Sequence, residues 1–101
     1  MTTDTVLDQK TTTTRKLKEP KKYKAVVMND NFTPMEFVVS MLVSVFRQSE
    51  ASAVDLTMQI HNQGSAIAGI YPYEVAEQKV SDAVALARAN GHPLIVKTEQ
   101  E

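Results

Sequence analysis

The residue types best suited to chemistry sit in one short segment, Asn29-Asp30-Asn31-Phe32-Thr33-Pro34-Met35-Glu36, and at a distant histidine, His61. They carry an amide oxygen, a carboxylate and an imidazole, each able to accept a hydrogen bond. Asp30 and His61 could instead serve as an acid–base pair in a small hydrolase or transferase, although no nucleophile motif accompanies them. The segment also has a purely architectural use. Asn and Asp make Asx turns, and Thr33-Pro34-Met35-Glu36 reads as a capping box opening a helix at Pro34. His61 is favoured near a helix C-terminus whatever else it does, and Met35 and Leu94 would ordinarily be core residues. Other chemistries lack their parts. The only glycines are Gly64, Gly69 and Gly91, so there is no phosphate loop, and His61 and His92 lack metal-ligand spacing. No enzyme, metal or cofactor is expected.

The elements that position these residues are legible as alternating patterns. Tyr23-Lys24-Ala25-Val26-Val27-Met28 is β-prone and ends in turn formers, which predicts a strand. Phe37, Val38, Met41, Leu42, Val45 and Phe46 recur with the helical period and predict a helix over 34–47. Ser49 as a cap and Gly64 as a stop bracket a second helix over about 50–62, with Ala53, Leu56 and Ile60 facing inward. Thr57 and His61 lie four residues apart on an adjoining line. Ala66 to Tyr71 reads as a second strand, where Gly69 signals a bulge or a close backbone approach. Pro72 opens a third helix with Ala76, Val80, Ala83 and Ala87 inward. Leu94-Ile95-Val96 is a third strand, after which the charged end is expected to fray. The order β-α-α-β-α-β implies an α+β two-layer sandwich, three antiparallel strands covered by three helices on one face.

Composition narrows the partners. The chain has 101 residues, 43% of them hydrophobic, and no cysteine, so one domain without disulfides is expected. Residues 1–22 carry six basic and three acidic side chains, whereas residues 23–101 carry five basic and nine acidic. An acidic globule repels a phosphate backbone, which disfavours nucleic acid. The tail over 1–22 has too few apolar residues to order itself and is expected to be flexible. No apolar run reaches the ~18 residues of a membrane span, and no signal peptide is evident. A cytoplasmic monomer is the expectation.

Asn29 through Val38 resembles the signature of the ClpS adaptor family. His61-Asn62-Gln63-Gly64 resembles the end of that family's second helix, and Tyr73 to Val80 and His92-Pro93-Leu94 resemble further blocks. The resemblance spans roughly residues 22–98. It implies the fold shared with the C-terminal domain of the ribosomal stalk protein. It also implies an adaptor that binds substrates bearing an N-terminal Leu, Phe, Tyr or Trp and delivers them to a Clp AAA+ unfoldase, ClpA or ClpC, working with ClpP.

By the same resemblance, Asn29, Asp30 and His61 receive the ligand's α-ammonium. Met28, Thr33, Met35, Val38, Thr57, Ile60 and Leu94 line the side-chain pocket, with Met35 as gatekeeper against β-branched residues. Glu74 and Lys79 belong to the unfoldase-docking surface, and the tail becomes the arm engaged during delivery. Asn31 stands where the family usually has a second Asp, and Thr57 where Met is common. The resemblance therefore also leaves room for a regulator of the unfoldase with weak or altered N-degron binding. Because neutral His61 would accept from the amine, protonation would make it a donor, and affinity is expected to fall on acidification.

Overall fold

The computed structural model describes residues 20–101. Most of the expected tail lies outside these residues. The elements run β1 Lys22–Met28, α1 Met35–Ser44, α2 Glu50–Gln63, β2 Ser65–Pro72, α3 Tyr73–Ala89 and β3 Ile95–Gln100. This is the expected β-α-α-β-α-β order. The first strand begins at Lys22, whose carbonyl accepts the Glu101 amide at 2.9 Å.

β1 is central, with β2 and β3 antiparallel on either side. Its alternation decides which face is covered. Ala25 and Val27 are fully buried beneath the helices and pair with the region of Gly69 and Ala66 on β2 and with Thr98 and Val96 on β3. On the flanking strands the residues of opposite parity, Ile67, Ile70, Ile95, Lys97 and Glu99, are exposed, while Val26 of the central strand is buried between its neighbours. Met41, Leu42, Phe46, Ala53, Ile60, Ala83 and Ala87 complete one core between helices and sheet. The small alanines of α3 let that helix lie close to the strands.

Gly69 behaves as its position suggested. The β1–β2 register shifts by one residue between Ala25 and Val26, leaving Ala68 as the bulged residue. The Tyr71 ring then folds back over Gly69. A Cβ at that position would stand 2.7 Å from Tyr71 Cε2, which is inside van der Waals contact. Lys79 closes over the same ring at 5.5 Å from its centroid and donates to the Val45 carbonyl at 3.0 Å.

Three local expectations are corrected. Thr33 does not cap α1: the helix begins at Met35 with Pro34 at the cap, one residue later than expected, and the Thr33 hydroxyl donates to Asp30 Oδ2 at 2.7 Å. Pro34 takes the N-cap position without a side-chain bond, and its carbonyl accepts the amides of Phe37 and Val38. The helix also stops at Ser44 rather than 47. Gln48 N–H reaches back to the Leu42 carbonyl at 3.1 Å, with Arg47 at φ 59°, a left-handed turn built without glycine. Finally, the C-terminal end does not fray. Lys97 to Gln100 pair with Val26 to Tyr23, and Thr98 donates to Glu77 of α3 at 2.7 Å.

Candidate functional site

The joint between β1 and α2 brings the two distant acceptor groups together. Ser49 caps α2 through Ser52 N–H, and Gly64 ends it in a left-handed conformation at φ 95°. That turn aims the Gly64 carbonyl at the Asn29 amide, 2.9 Å away. The end of β1 is thereby fastened to the last turn of α2, where His61 sits. Among the described residues, neither the Asn29 amide side chain nor the His61 ring is committed to another protein group.

Asp30 organises the loop that follows. Its Oδ1 accepts Phe32 N–H at 2.7 Å and Thr33 N–H at 2.8 Å, and its Oδ2 accepts the Thr33 hydroxyl. Partial burial by itself would raise the Asp30 carboxyl. The bonds from Thr33 and Phe32, with the nearby charge of His92, outweigh it and hold the group below its ordinary value of 3.8. Asp30 is thus a fixed negative charge whose carboxylate is largely used by the loop, leaving about one lone-pair site open.

All ten residues expected to touch a ligand line one small cavity. Five of them, Asn29, Asp30, Thr33, Met35 and His61, also line a shallower depression outside it. They form the rim. The other five, Met28, Val38, Thr57, Ile60 and Leu94, line only the interior of the two. The polar acceptors therefore stand at the mouth and an apolar wall lies behind them. Thr57 is buried, yet its hydroxyl donates to the Ala53 carbonyl at 2.7 Å and leaves no unpaired polar group in that wall. The free volume is about 20 Å³, enough for a water molecule and not for a phenyl ring. Admission of a large side chain therefore needs the lining to move. Met35 is 40% exposed at the start of α1, and an unbranched thioether has the rotamer freedom for it.

Support for the far wall was missed by sequence reasoning. Arg88 Nη1 donates to the carbonyls of His92 at 2.8 Å and Leu94 at 2.9 Å, pinning the segment that carries Leu94. The His92 ring meets Phe37 edge-on at 4.6 Å between centroids. A basic residue in the last turn of a helix was the one available signal, and it suits a helix end equally well. Glu74 and Lys79 lie on α3, outside the cavity. Glu74 is exposed in the first turn, while Lys79 is the part-buried bridge to Val45 described above. Among the described residues there is no group of three His, Cys, Asp or Glu able to hold a metal, and no helix long and apolar enough to cross a membrane.

A sandwich of this topology, with hydrogen-bond acceptors ringing an apolar recess, has the form of a small binding module. A model described as ATP-dependent Clp protease adaptor protein ClpS matches residues 18–97, and the chain belongs to that family. The adapter protein ClpS of Clostridium acetobutylicum is 40% identical over 94 residues, 93% of each chain. That of Shewanella piezotolerans is 44% identical over 84 residues, 83% of this chain and 82% of the relative. Among solved structures, Agrobacterium tumefaciens ClpS2 bound to L-phenylalaninamide is similar with a TM-score of 0.80 and 40% identity, covering 82% of this chain and all of that one. The family is one of adaptor proteins.

Proposed function

We propose that this protein binds substrates through a bulky hydrophobic N-terminal residue and delivers them to a Clp AAA+ unfoldase–peptidase, working in the cytoplasm. The observation that carries the reading is the division of the site into a polar rim and an apolar interior. Asn29 and His61 accept from the ligand's α-ammonium at the rim. Asp30 adds its fixed charge and its remaining lone pair. The first side chain enters past Met35 and rests against Val38, Thr57, Ile60 and Leu94. The ClpS2 relative, which holds phenylalaninamide, offers the same pairing of a free amine with an aromatic side chain.

The energetics require both halves. Bonds to a charged group contribute about 1.5–3 kcal/mol each, and burial of a large apolar side chain contributes a similar amount. Micromolar binding needs about −8 kcal/mol net of the entropy of association. An amine without a bulky side chain falls short, and so does a bulky side chain without an amine.

In this reading residues 23–101 are the adaptor domain and the basic segment 1–22 is the arm that the unfoldase engages. Glu74 supplies the charged contact of the docking surface. Lys79 supports that surface from beneath, through Tyr71 and Val45. Fluorescence anisotropy with a Phe-initiated peptide, its N-acetylated twin and the His61→Ala variant tests the proposal. Acetylation is expected to abolish binding, and His61→Ala to weaken it about tenfold or more. Equal affinity for the two peptides would refute an amine-directed site.

A further inference from the structure

Among the described residues, the most exposed of the large apolar side chains is Phe32, at 79%. Single exposed apolar residues are common and mean little alone. Two features set this one apart. Its backbone is pinned by the bond from its N–H to Asp30 Oδ1 at 2.7 Å, so the loop cannot easily fold the ring inward. The ring also stands on a ridge. On one side it borders the outer depression with Asn29, Asp30, Met35 and His61, and on the other a second groove with Arg88, Gly91, His92 and Pro93.

We propose that Phe32 forms a second binding position, reading the residue that follows the N-terminal one in a bound peptide. This rests on the function proposed above. A ligand whose ammonium is held at Asn29 and His61, with its first side chain in the cavity, must carry its second residue out across the rim. Successive residues advance about 3.3–3.6 Å, so the second side chain leaves within reach of the ring that borders the same depression. The groove beyond the ridge is fixed in place, because Arg88 Nη1 is committed to the His92 and Leu94 carbonyls. It presents Pro93, Gly91 and the Phe32 face. The chemistry offered there is flat and apolar, which selects an aromatic or large aliphatic second residue over glycine.

The test uses the full chain and peptides of one common sequence beginning Phe-Gly, Phe-Leu or Phe-Trp, with phenylalaninamide as the probe that lacks a second residue. Wild type is expected to bind Phe-Trp about fivefold more tightly than Phe-Gly, the size of an aromatic contact at a part-exposed site. Phe32→Ala is expected to erase that preference while changing phenylalaninamide affinity less than about twofold, and Phe32→Tyr to retain it. Loss of affinity by the same factor for all ligands, phenylalaninamide included, would overturn the proposal, since Phe32 would then only shape the loop. So would a wild type indifferent to the second residue. A wild type that fails to bind phenylalaninamide at all overturns the parent reading of the site, and this one with it.

Discussion

Asp30 is placed to do two things at once, and a pair of substitutions separates them. Its carboxylate holds three donors from Phe32 and Thr33, and the ionised group also faces the rim where a ligand amine would sit. Asp30→Asn keeps an oxygen for the two amides. The Thr33 hydroxyl can reverse and accept from the new NH2, so the turn survives without the charge. Asp30→Ala removes the turn's acceptor altogether. Loss of such a cap-like group costs about 0.5–2 kcal/mol, and the exposure of the Phe32 bond lets water replace part of it. A cost of about 1 kcal/mol corresponds to a fall in Tm of about 4–8 °C in a domain of this size.

The expected pattern is a clearly destabilised Asp30→Ala and a more mildly destabilised Asp30→Asn, with both binding a Phe-initiated peptide more weakly. The pH dependence follows from the lowered carboxyl. A carboxylate depressed in the folded state contributes stability that is complete above its unfolded value and is lost as pH falls through the folded one. The stability gap between wild type and Asp30→Asn should therefore hold at neutral pH and close as pH drops below 3.8. Urea titrations across pH, together with anisotropy at neutral pH, read both effects. The reasoning fails if Asp30→Asn destabilises as much as Asp30→Ala, or if its peptide affinity equals wild type.

Other outcomes follow from single features. Thr57→Met lengthens a side chain facing a cavity of about 20 Å³. It is expected to shift the ratio of Leu- to Trp-initiated peptide affinity about fivefold toward Leu, and an unchanged ratio would remove Thr57 from the determinants of preference. Arg47→Gly relieves a left-handed residue at φ 59° and should raise stability by about 1 kcal/mol at constant denaturant slope; a lower urea midpoint would contradict it. Gly69→Ala must push Tyr71 aside at a cost of about 1–3 kcal/mol. That cost should largely vanish in a Tyr71→Ala background, and a cost unchanged there would place the strain elsewhere.

Much of this protein was determined locally. Ser49, Gly64 and the alanine stripe of α3 act through neighbours in the chain, so the bounds of α2 and the inner face of α3 were legible from residue type and spacing. Gly69 announced a close approach before its partner was known. The membership of the pocket was legible through family resemblance, block by block, and not from periodicity. A buried Thr57 and a Met35 at a mouth look like ordinary helix residues in isolation.

Tertiary structure decided what depends on partners distant in sequence or on competition between acceptors. Thr33 had a sound capping signature, yet α1 starts at Met35 with Pro34 at the cap, and Thr33 belongs instead to the turn that Asp30 organises. α1 ended early because Arg47 adopts the turn that glycine usually signals. The third strand extended to Gln100 because β1 continued to pair with it, against the expectation from its charges. Lys79, expected on a docking surface, is half-buried as a bridge to Val45, 34 residues away in sequence. Most telling for function, Asn29 and His61 line one cavity because the carbonyl of Gly64, just past α2, accepts the amide that follows β1. Residue types and order determined which acceptors the chain carries. Only a hydrogen bond between remote segments could decide that they face the same mouth.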